Sequence, residues 1–203
     1  MIRIVKYGLG NVAAFANIYR RLNIDCATAE TAEELATASK IILPGVGAFD
    51  WAMHRLAESG MRDCLDDMVL NRKVPVLGVC VGMQMMAKSS EEGQLPVLGW
   101  IDADVRRFDE SRFTVRTHLP HMGWSSVQPA ETDNLFRDMA DPRFYFLHSY
   151  LVAPSRRENV LAETNYGSTF ASAVRAENVF GVQFHPEKSH QWGIRLLQNF
   201  AEL

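Results

Sequence analysis

Residues 74–84 read Val-Pro-Val-Leu-Gly-Val-Cys-Val-Gly-Met-Gln. The run Val74–Cys80 is almost wholly apolar, which is typical of a central strand covered on both faces. Glycines flank Cys80 in a Gly-x-Cys-x-Gly pattern, and a helical segment is expected over Met83–Lys88. This pattern predicts a nucleophile elbow, a sharp strand-to-helix turn that lifts a nucleophile out of a sheet and leaves no room for side chains beside it.

Cys80 is the only cysteine of the three in the chain with such a context. The elbow would place its sulfur at a helix N-terminus, where the helix dipole and backbone amides favour the reactive thiolate. The amide of Val81, the next residue, is the natural first donor to an oxyanion. Free cysteines are most often small buried residues, and we keep that interpretation for Cys26 and Cys64.

A nucleophilic cysteine needs a base and a third group that orients the base. The run Val179–Phe184 predicts a buried strand that delivers His185 at its end. Glu187 follows two residues later, so both side chains can point the same way in an extended chain, and Pro186 fixes one backbone dihedral between them. The sequence therefore predicts a triad of Cys80, His185 and Glu187.

The rest of the first half alternates apolar runs with helical patterns, which indicates βαβ units and a mainly parallel sheet. The expected elements are a strand over Ile2–Tyr7, a helix capped by Asn11 and ending near Leu22, a strand over Lys40–Leu43 ended by Pro44, and helices over 49–57 and Arg62–Leu70. The second half has shorter strand-like runs, of which Phe144–Tyr150 is the clearest besides Val179–Phe184, and predicts antiparallel strands added to the sheet. A last helix is expected from about His190, burying Trp192, Leu196, Phe200 and Leu203.

Length and composition suit one folded domain over residues 1–203, with 47% hydrophobic and 22% charged residues. The net charge of −3 comes without a basic block, so nucleic acid is not expected as a partner. No signal peptide and no apolar run near the roughly 20 residues of a membrane span are evident. Scattered cysteines in odd number predict reduced thiols, no metal site and a cytoplasmic location.

Several motifs together resemble the class I, or triad-type, glutamine amidotransferases. They are Pro44-Gly45-Val46-Gly47, the elbow from Gly78 to Gln84, and Gly181-Val-Gln-Phe-His-Pro-Glu187. Three more motifs narrow the resemblance to the HisH-type glutaminase subunit of imidazole glycerol phosphate synthase, and the likeness runs the whole length of the chain. These are His121-Met-Gly-Trp124, Tyr145-Phe-Leu-His-Ser-Tyr150 and His185-Pro-Glu-Lys-Ser189.

The resemblance implies a flavodoxin-like α/β fold and a mechanism without a cofactor. Cys80 would attack the side-chain amide of L-glutamine, His185 would protonate the departing ammonia, and Glu187 would orient His185. Backbone amides of Val81 and Gly47 would stabilise the oxyanion. The residues that match the glutamine-binding positions of the family are Gln84, Glu92, His148, Ser149 and Tyr150.

The resemblance also implies a heterodimer with a (β/α)8 cyclase subunit of the HisF type. That partner would take ammonia through a protected channel and make imidazole glycerol phosphate and AICAR in histidine biosynthesis. Trp124, Tyr145 and Lys188 match positions that face the cyclase.

Three alternative functions and two alternative roles of single residues stay open at this point. Lys6 and Ser125 stand where the family commonly has Asp and Asn, and the segment Asn11–Ile24 resembles paralogues that supply ammonia for amidation of a surface-polysaccharide sugar. A Cys-His-Glu triad could also serve a cysteine peptidase or acyl hydrolase, and the turn Gly8–Asn11 could hold a phosphate at a helix N-terminus. Among single residues, Gln84 could simply face solvent and Tyr150 could be a core residue.

Overall fold

The computed structural model describes residues 1–130 and 134–203. In these ranges the strands form one 11-stranded sheet and one 2-stranded sheet. The strands are β1 (Ile2–Val5), β2 (Cys26–Ala29), β3 (Lys40–Gly45), β4 (Val76–Cys80), β5 (Ser89–Ser90), β6 (Ala103–Arg107), β7 (His121–Ser126), β8 (Gln128–Pro129), β9 (Arg143–His148), β10 (Tyr150–Pro154), β11 (Val160–Tyr166), β12 (Ser168–Ala176) and β13 (Val179–Val182). The α-helices are α1 (Val12–Arg21), α2 (Ala32–Leu35), α3 (Phe49–Glu58), α4 (Arg62–Asp66), α5 (Val81–Met85) and α6 (His190–Glu202).

Five neighbouring strands make the parallel part of the large sheet, in the order β2-β1-β3-β4-β13. This is the flavodoxin-like arrangement, in which ligands bind beyond the carboxyl ends of the strands. Strand β4 is buried along its whole length, as its apolar sequence predicts. The predicted α/β fold with a mainly parallel sheet is confirmed.

Strand β13 joins the two halves of the sheet, because it is parallel to β4 and antiparallel to β12. Beyond it, β12, β10 and β6 pair antiparallel, as expected for the second half. The prediction of a single strand over Phe144–Tyr150 is wrong, because Ser149 interrupts the strand and divides it into two. Strand β9 ends at His148 and pairs with β7 in the small sheet, whereas β10 begins at Tyr150 and joins the large sheet.

Some predicted boundaries differ for local reasons. Pro44 lies inside β3, since the pairing with β1 stops at Ile42 and its missing N–H therefore removes no bond to that neighbour. The Asn11 side chain caps nothing, because its backbone (φ −87°, ψ 63°) is not in the extended region that aims a cap. The predicted helix Arg62–Leu70 continues past α4 as a π-helical turn, Asp67–Asn71. Leu203, which the sequence predicted to be buried by the last helix, is exposed.

The buried apolar side chains of the described residues form one connected cluster around the large sheet. The helices α3 and α6 each bury one apolar stripe against it, at the helical spacing read in the sequence. Within residues 1–130 and 134–203, no helix has the length and apolar character to cross a bilayer.

Candidate active site

Three loops meet at the carboxyl edge of the parallel sheet. Gly45, at the end of β3, pairs in register with Cys80 at the end of β4. Strand β13 lies on the other side of β4, and His185 follows it three residues later. The sheet topology therefore brings the predicted nucleophile, the predicted base and the Pro44–Gly47 loop together.

The turn at Cys80 has the geometry of a nucleophile elbow. Cys80 has φ +55° and ψ −115°, a strained conformation for a residue with a side chain, and it stands at the N-terminus of α5. A Cβ added to Gly82 would lie 2.0 Å from Leu43 O, and one added to Gly45 would lie 2.3 Å from Gly82 N. The elbow thus rests backbone against backbone on β3, which only glycine permits.

His185 and Glu187 form a buried pair beside the elbow. His185 Nδ1 lies 2.9 Å from Glu187 Oε1, and the two side chains are 3% and 2% exposed. Burial lowers the pKa of His185, but hydrogen bonds and charge interactions with Cys80 and Glu187 outweigh it and raise the pKa to about 9. His185 is then protonated at neutral pH, and a cation beside a cysteine favours the nucleophilic thiolate.

The turn that carries His185 is held from both sides. His185 N donates to Tyr145 O at 2.8 Å. Ser189 Oγ donates to His185 O at 2.6 Å and accepts from Tyr145 N at 3.0 Å. A Cβ on Gly193 would lie 1.8 Å from Pro186 O, so helix α6 packs directly on the turn. The imidazole is therefore fixed by its backbone as well as by Glu187.

A cavity of about 540 Å³ opens in front of Cys80 and His185. It lies between the Pro44–Gly47 loop, the elbow and the break between β9 and β10. Gly47 adopts φ +83°, which favours glycine there. The predicted residues that line it are Gly47, Cys80, Val81, Gln84, Glu92, His148, Ser149, Tyr150, His185 and Lys188. Glu187 stands behind His185, and Trp124 and Tyr145 lie outside the lining.

Two predicted binding side chains bring polar groups to this cavity. Gln84 is 2% exposed, so the alternative that it faces solvent is wrong. Its Nε2 donates to Gln183 Oε1 and to Tyr150 O, while its Oε1 is buried and has no partner among the described residues. Burial raises the pKa of Glu92, a bond from the Phe49 amide lowers it, and the charge of Asp50 raises it, with a net rise. The cavity is thus lined by the Glu92 carboxyl group and by Gln84, whose buried amide oxygen has no partner among the described residues.

His148 is part of a chain of hydrogen bonds that sequence reasoning missed. His148 Nδ1 lies 2.7 Å from Tyr150 O, so it must donate there, which leaves Nε2 as the acceptor for His121 Nδ1 at 3.0 Å. His121 Nε2 then accepts from Ser125 Oγ at 2.8 Å. Both imidazoles are neutral in this arrangement, and burial lowers the pKa of His121 to about 4 and that of His148 to about 3. Neither ring nitrogen of His148 remains free for a ligand.

Trp124, Tyr145 and Lys188 lie together on the surface beside the cavity. Trp124 is 38% exposed and stacks on His190 with ring centroids 5.3 Å apart. Lys188 Nζ lies 5.8 Å from the Tyr145 ring centroid. Met122 (64% exposed) and Leu147 (39%) extend this apolar surface, which we call the ribbon face because it follows β7 and β9. Large exposed apolar patches of this kind mark interaction sites.

Two side chains near the candidate site were not singled out from the sequence. Gln183 is fully buried, and its Nε2 lies 3.8 Å from Cys80 Sγ. The sequence signal that could have singled out Gln183 is its polar side chain between the apolar residues Val182 and Phe184. The second side chain is Ser125, which the sequence analysis noted only as a departure from the family and which donates a hydrogen bond to His121. The other departure, Lys6, forms an exposed ion pair with Glu30. No group of three or more His, Cys, Asp or Glu side chains in the described ranges could hold a metal ion.

Comparisons with known proteins agree with this geometry. The family model of class I glutamine amidotransferases matches residues 10–203. The imidazole glycerol phosphate synthase subunit HisH of Bdellovibrio bacteriovorus is 56% identical over 204 residues, covering 100% of both chains. That of Leptospira borgpetersenii is 48% identical with the same coverage. A crystal structure of a glutamine amidotransferase aligns with a TM-score of 0.76 over 100% of this chain and 99% of that one, and its 19% identity supports the fold alone. The chain belongs to the class I glutamine amidotransferases and, within them, to the HisH family.

Proposed function

We propose that the chain is the glutaminase subunit of an imidazole glycerol phosphate synthase, which hydrolyses L-glutamine and passes the ammonia to a partner. The observation that carries the proposal is the cavity lined by Cys80, His185, Gln84 and Glu92. The full-length HisH relatives support the same activity. The proposal treats residues 1–203 as a single domain. It also places the protein in the cytoplasm, because the chemistry needs Cys80 as a free thiol.

The reaction begins with the Cys80 thiolate. Its sulfur attacks the side-chain amide carbon of glutamine, a C–S bond forms, and the amide oxygen becomes an oxyanion. Backbone amides of Val81 and Gly47 donate to that oxygen, and one such donor contributes about 3 kcal/mol. His185 gives its proton to the leaving nitrogen as the C–N bond breaks, which releases ammonia and leaves a thioester.

Hydrolysis of the thioester completes the cycle. His185, now neutral, takes a proton from water while the water oxygen attacks the thioester carbon. The C–S bond then breaks, glutamate leaves and the thiolate returns. Glu187 holds one imidazole nitrogen throughout, so the other nitrogen faces the reacting atoms.

Substrate recognition follows from charge. The α-ammonium group of glutamine suits the Glu92 carboxyl group at the cavity wall. Ser149, between β9 and β10, and Tyr150, the first residue of β10, offer backbone and hydroxyl groups at the cavity wall. His148 contributes by holding the Tyr150 carbonyl rather than through a free ring nitrogen.

The partner in this proposal is a HisF-type (β/α)8 cyclase that makes imidazole glycerol phosphate and AICAR in histidine biosynthesis. Ammonia is protonated in bulk water, so a sealed path between the two proteins has a clear purpose. The ribbon face is the contact surface, with Trp124, Tyr145 and Lys188 as anchors, since aromatic residues dominate the energy of interfaces. Leu147 and Lys188 also line the cavity, so the same face borders the site where ammonia forms.

The other candidate functions lack this support. The sugar-amidating alternative is not favoured, because the full-length relatives carry the name of the imidazole glycerol phosphate synthase subunit. The peptidase and the phosphate-binding module are not favoured either, because the family model is that of glutamine amidotransferases.

The test measures glutamate release with and without a HisF-type cyclase. We expect the cyclase to stimulate release, and Trp124→Ala to require more cyclase for half-maximal stimulation. Trp51→Ala is the matched control, because Trp51 is 52% exposed on helix α3, outside the ribbon face. Equal effects of the two substitutions would refute the interface. Stimulation only by a barrel protein of polysaccharide synthesis would favour the alternative pathway.

A further inference from the structure

Gln183 occupies an unusual place for an amide side chain. It follows strand β13 directly, it is 0% exposed, and its neighbours Val182 and Phe184 are buried apolar residues. A buried amide without partners is strongly destabilising, so its hydrogen bonds are informative. Gln183 Nε2 lies 3.8 Å from Cys80 Sγ, and Gln183 Oε1 accepts from Gln84 Nε2 at 3.1 Å.

We infer that Gln183 is a further member of the active site, whose side-chain amide donates a hydrogen bond to the Cys80 thiolate in a direction fixed by Gln84 and the Tyr150 carbonyl. The inference rests on the proposed role of Cys80 as the nucleophile. It assigns a function to a residue that neither binds glutamine nor belongs to the triad.

The direction of the bond follows from one backbone carbonyl. Tyr150 O can only accept, so the Gln84 atom 3.4 Å from it must be the amide nitrogen. The same nitrogen faces Gln183 at 3.1 Å, so the Gln183 atom there must be the oxygen. The Gln183 nitrogen is left pointing at Cys80 Sγ. Reversing either amide would set two donors or two acceptors against each other.

The bond to sulfur matters most when the sulfur is charged. In the thiol form, Cys80 Sγ–H donates weakly to Leu147 O at 3.9 Å. In the thiolate form that proton is gone, and the Gln183 amide is then a donor to an anion, which is a stronger bond than one between neutral groups. His185 supplies the other positive contact. The amide therefore stabilises the thiolate before attack and again when the C–S bond of the thioester breaks.

The test uses proteins in which Cys80 is the only cysteine. Cys26 and Cys64 each donate a thiol bond to a backbone carbonyl, so both are changed to Ser to keep a donor. Gln183→Met preserves the length of the side chain and removes the donor, and Gln183→Glu replaces the donor with a negative charge. The exposed residue Gln128 supplies the matched control, Gln128→Met.

The measured quantity is the rate of alkylation of Cys80 by iodoacetamide as a function of pH. Gln183→Met is expected to move the midpoint of this profile up by about one pH unit, the size of one hydrogen bond to a charged group at about 1.4 kcal/mol per unit. Gln183→Glu is expected to move it further in the same direction, and Gln128→Met not at all. A Gln183→Met profile that coincides with the parent profile would overturn the inference.

A second variant covers a failure of Gln183→Met to fold, which circular dichroism would show. Gln84→Leu removes the group that orients Gln183 but leaves its amide, and it is expected to move the midpoint upwards by less than Gln183→Met does. An unchanged profile for Gln84→Leu would then count against the inference. Glutamate release by the parent protein is measured in parallel, in the presence of a HisF-type cyclase. If the parent protein releases no glutamate but Gln183→Met shifts the alkylation profile, the proposed glutaminase activity is refuted and the hydrogen bond to Cys80 is supported. If glutamate is released but the profile does not shift, the activity is supported and the hydrogen bond is refuted.

Discussion

The buried pair His121 and His148 makes the stability of the fold depend on pH. These side chains are 0% and 6% exposed, and their pKa values fall from 6.5 to about 4 and about 3 in the folded protein. Because the folded pKa values are depressed, the stability from this pair is full above pH 6.5 and is lost as the pH falls toward 4 and 3. Between pH 7 and pH 5 each histidine costs about 2 kcal/mol of unfolding free energy, so the pair costs about 4 kcal/mol.

His185 acts in the opposite direction over the same interval. Its pKa is raised to about 9, so its contribution is full below pH 6.5 and is lost only as the pH rises through 9. Between pH 7 and pH 5 His185 therefore raises the free energy of unfolding by about 1 kcal/mol. The three histidines together then lower it by about 3 kcal/mol.

The assay is urea unfolding at pH 7 and pH 5, followed by the fluorescence of the four tryptophans. His121→Gln cannot titrate, so we expect it to remove about half of the 4 kcal/mol that the pair contributes to the pH dependence. His118→Gln is the matched control at an exposed histidine and should leave the pH dependence unchanged. An unfolding free energy of His121→Gln that falls between pH 7 and pH 5 as steeply as that of the wild type would contradict the depressed pKa of His121.

Three further substitutions test other parts of the site. Gly82→Ala forces a methyl group to within 2.0 Å of a carbonyl oxygen of β3, so we expect a loss of about 1–3 kcal/mol in urea unfolding and a large loss of glutamate release, and unchanged activity would contradict the elbow. Glu187→Gln removes the charge that helps to raise the pKa of His185, so glutamate release should fall by about 100-fold or more, and a smaller effect would argue against the orienting role. Ser125→Ala removes the donor to the histidine pair and should cost about 1 kcal/mol in thermal unfolding, whereas the exposed Ser126→Ala should cost much less.

The sequence predicts the parts of the site that depend on local chain geometry. The elbow at Cys80 follows from glycines at fixed spacing, because Gly82 must approach the backbone of β3 and Gly78 must leave room for Met86 and for the carbonyl of Gly82. The pairing of His185 with Glu187 follows from their separation of two residues at the end of a buried strand, although Glu187 lies in a 3-10 turn, Pro186–Lys188, and not in the extended chain that the sequence analysis assumed. The parallel sheet follows from the alternation of apolar runs and helical patterns.

The parts that the sequence does not predict depend on contacts between distant segments. The bond from Gln183 to Cys80 spans two strands, and its direction needs the position of the Tyr150 carbonyl. The tautomers of His121 and His148 likewise depend on which acceptor each ring meets. Neither the bond nor the tautomers can be predicted from the pattern of residues in a single segment. The break at Ser149 was missed because the strand-like pattern of residues 144–150 does not reveal where the chain leaves one sheet and joins another.

The most direct test of the account measures glutamate release by Cys80→Ala beside the wild type, both in the presence of a HisF-type cyclase. The wild type should release glutamate, and acid quenching during turnover should trap one γ-glutamyl group on Cys80 that mass spectrometry can locate. Cys80→Ala should release none and trap none. Substantial glutamate release by Cys80→Ala, or a trapped group on another residue, would contradict the role of Cys80 as the nucleophile.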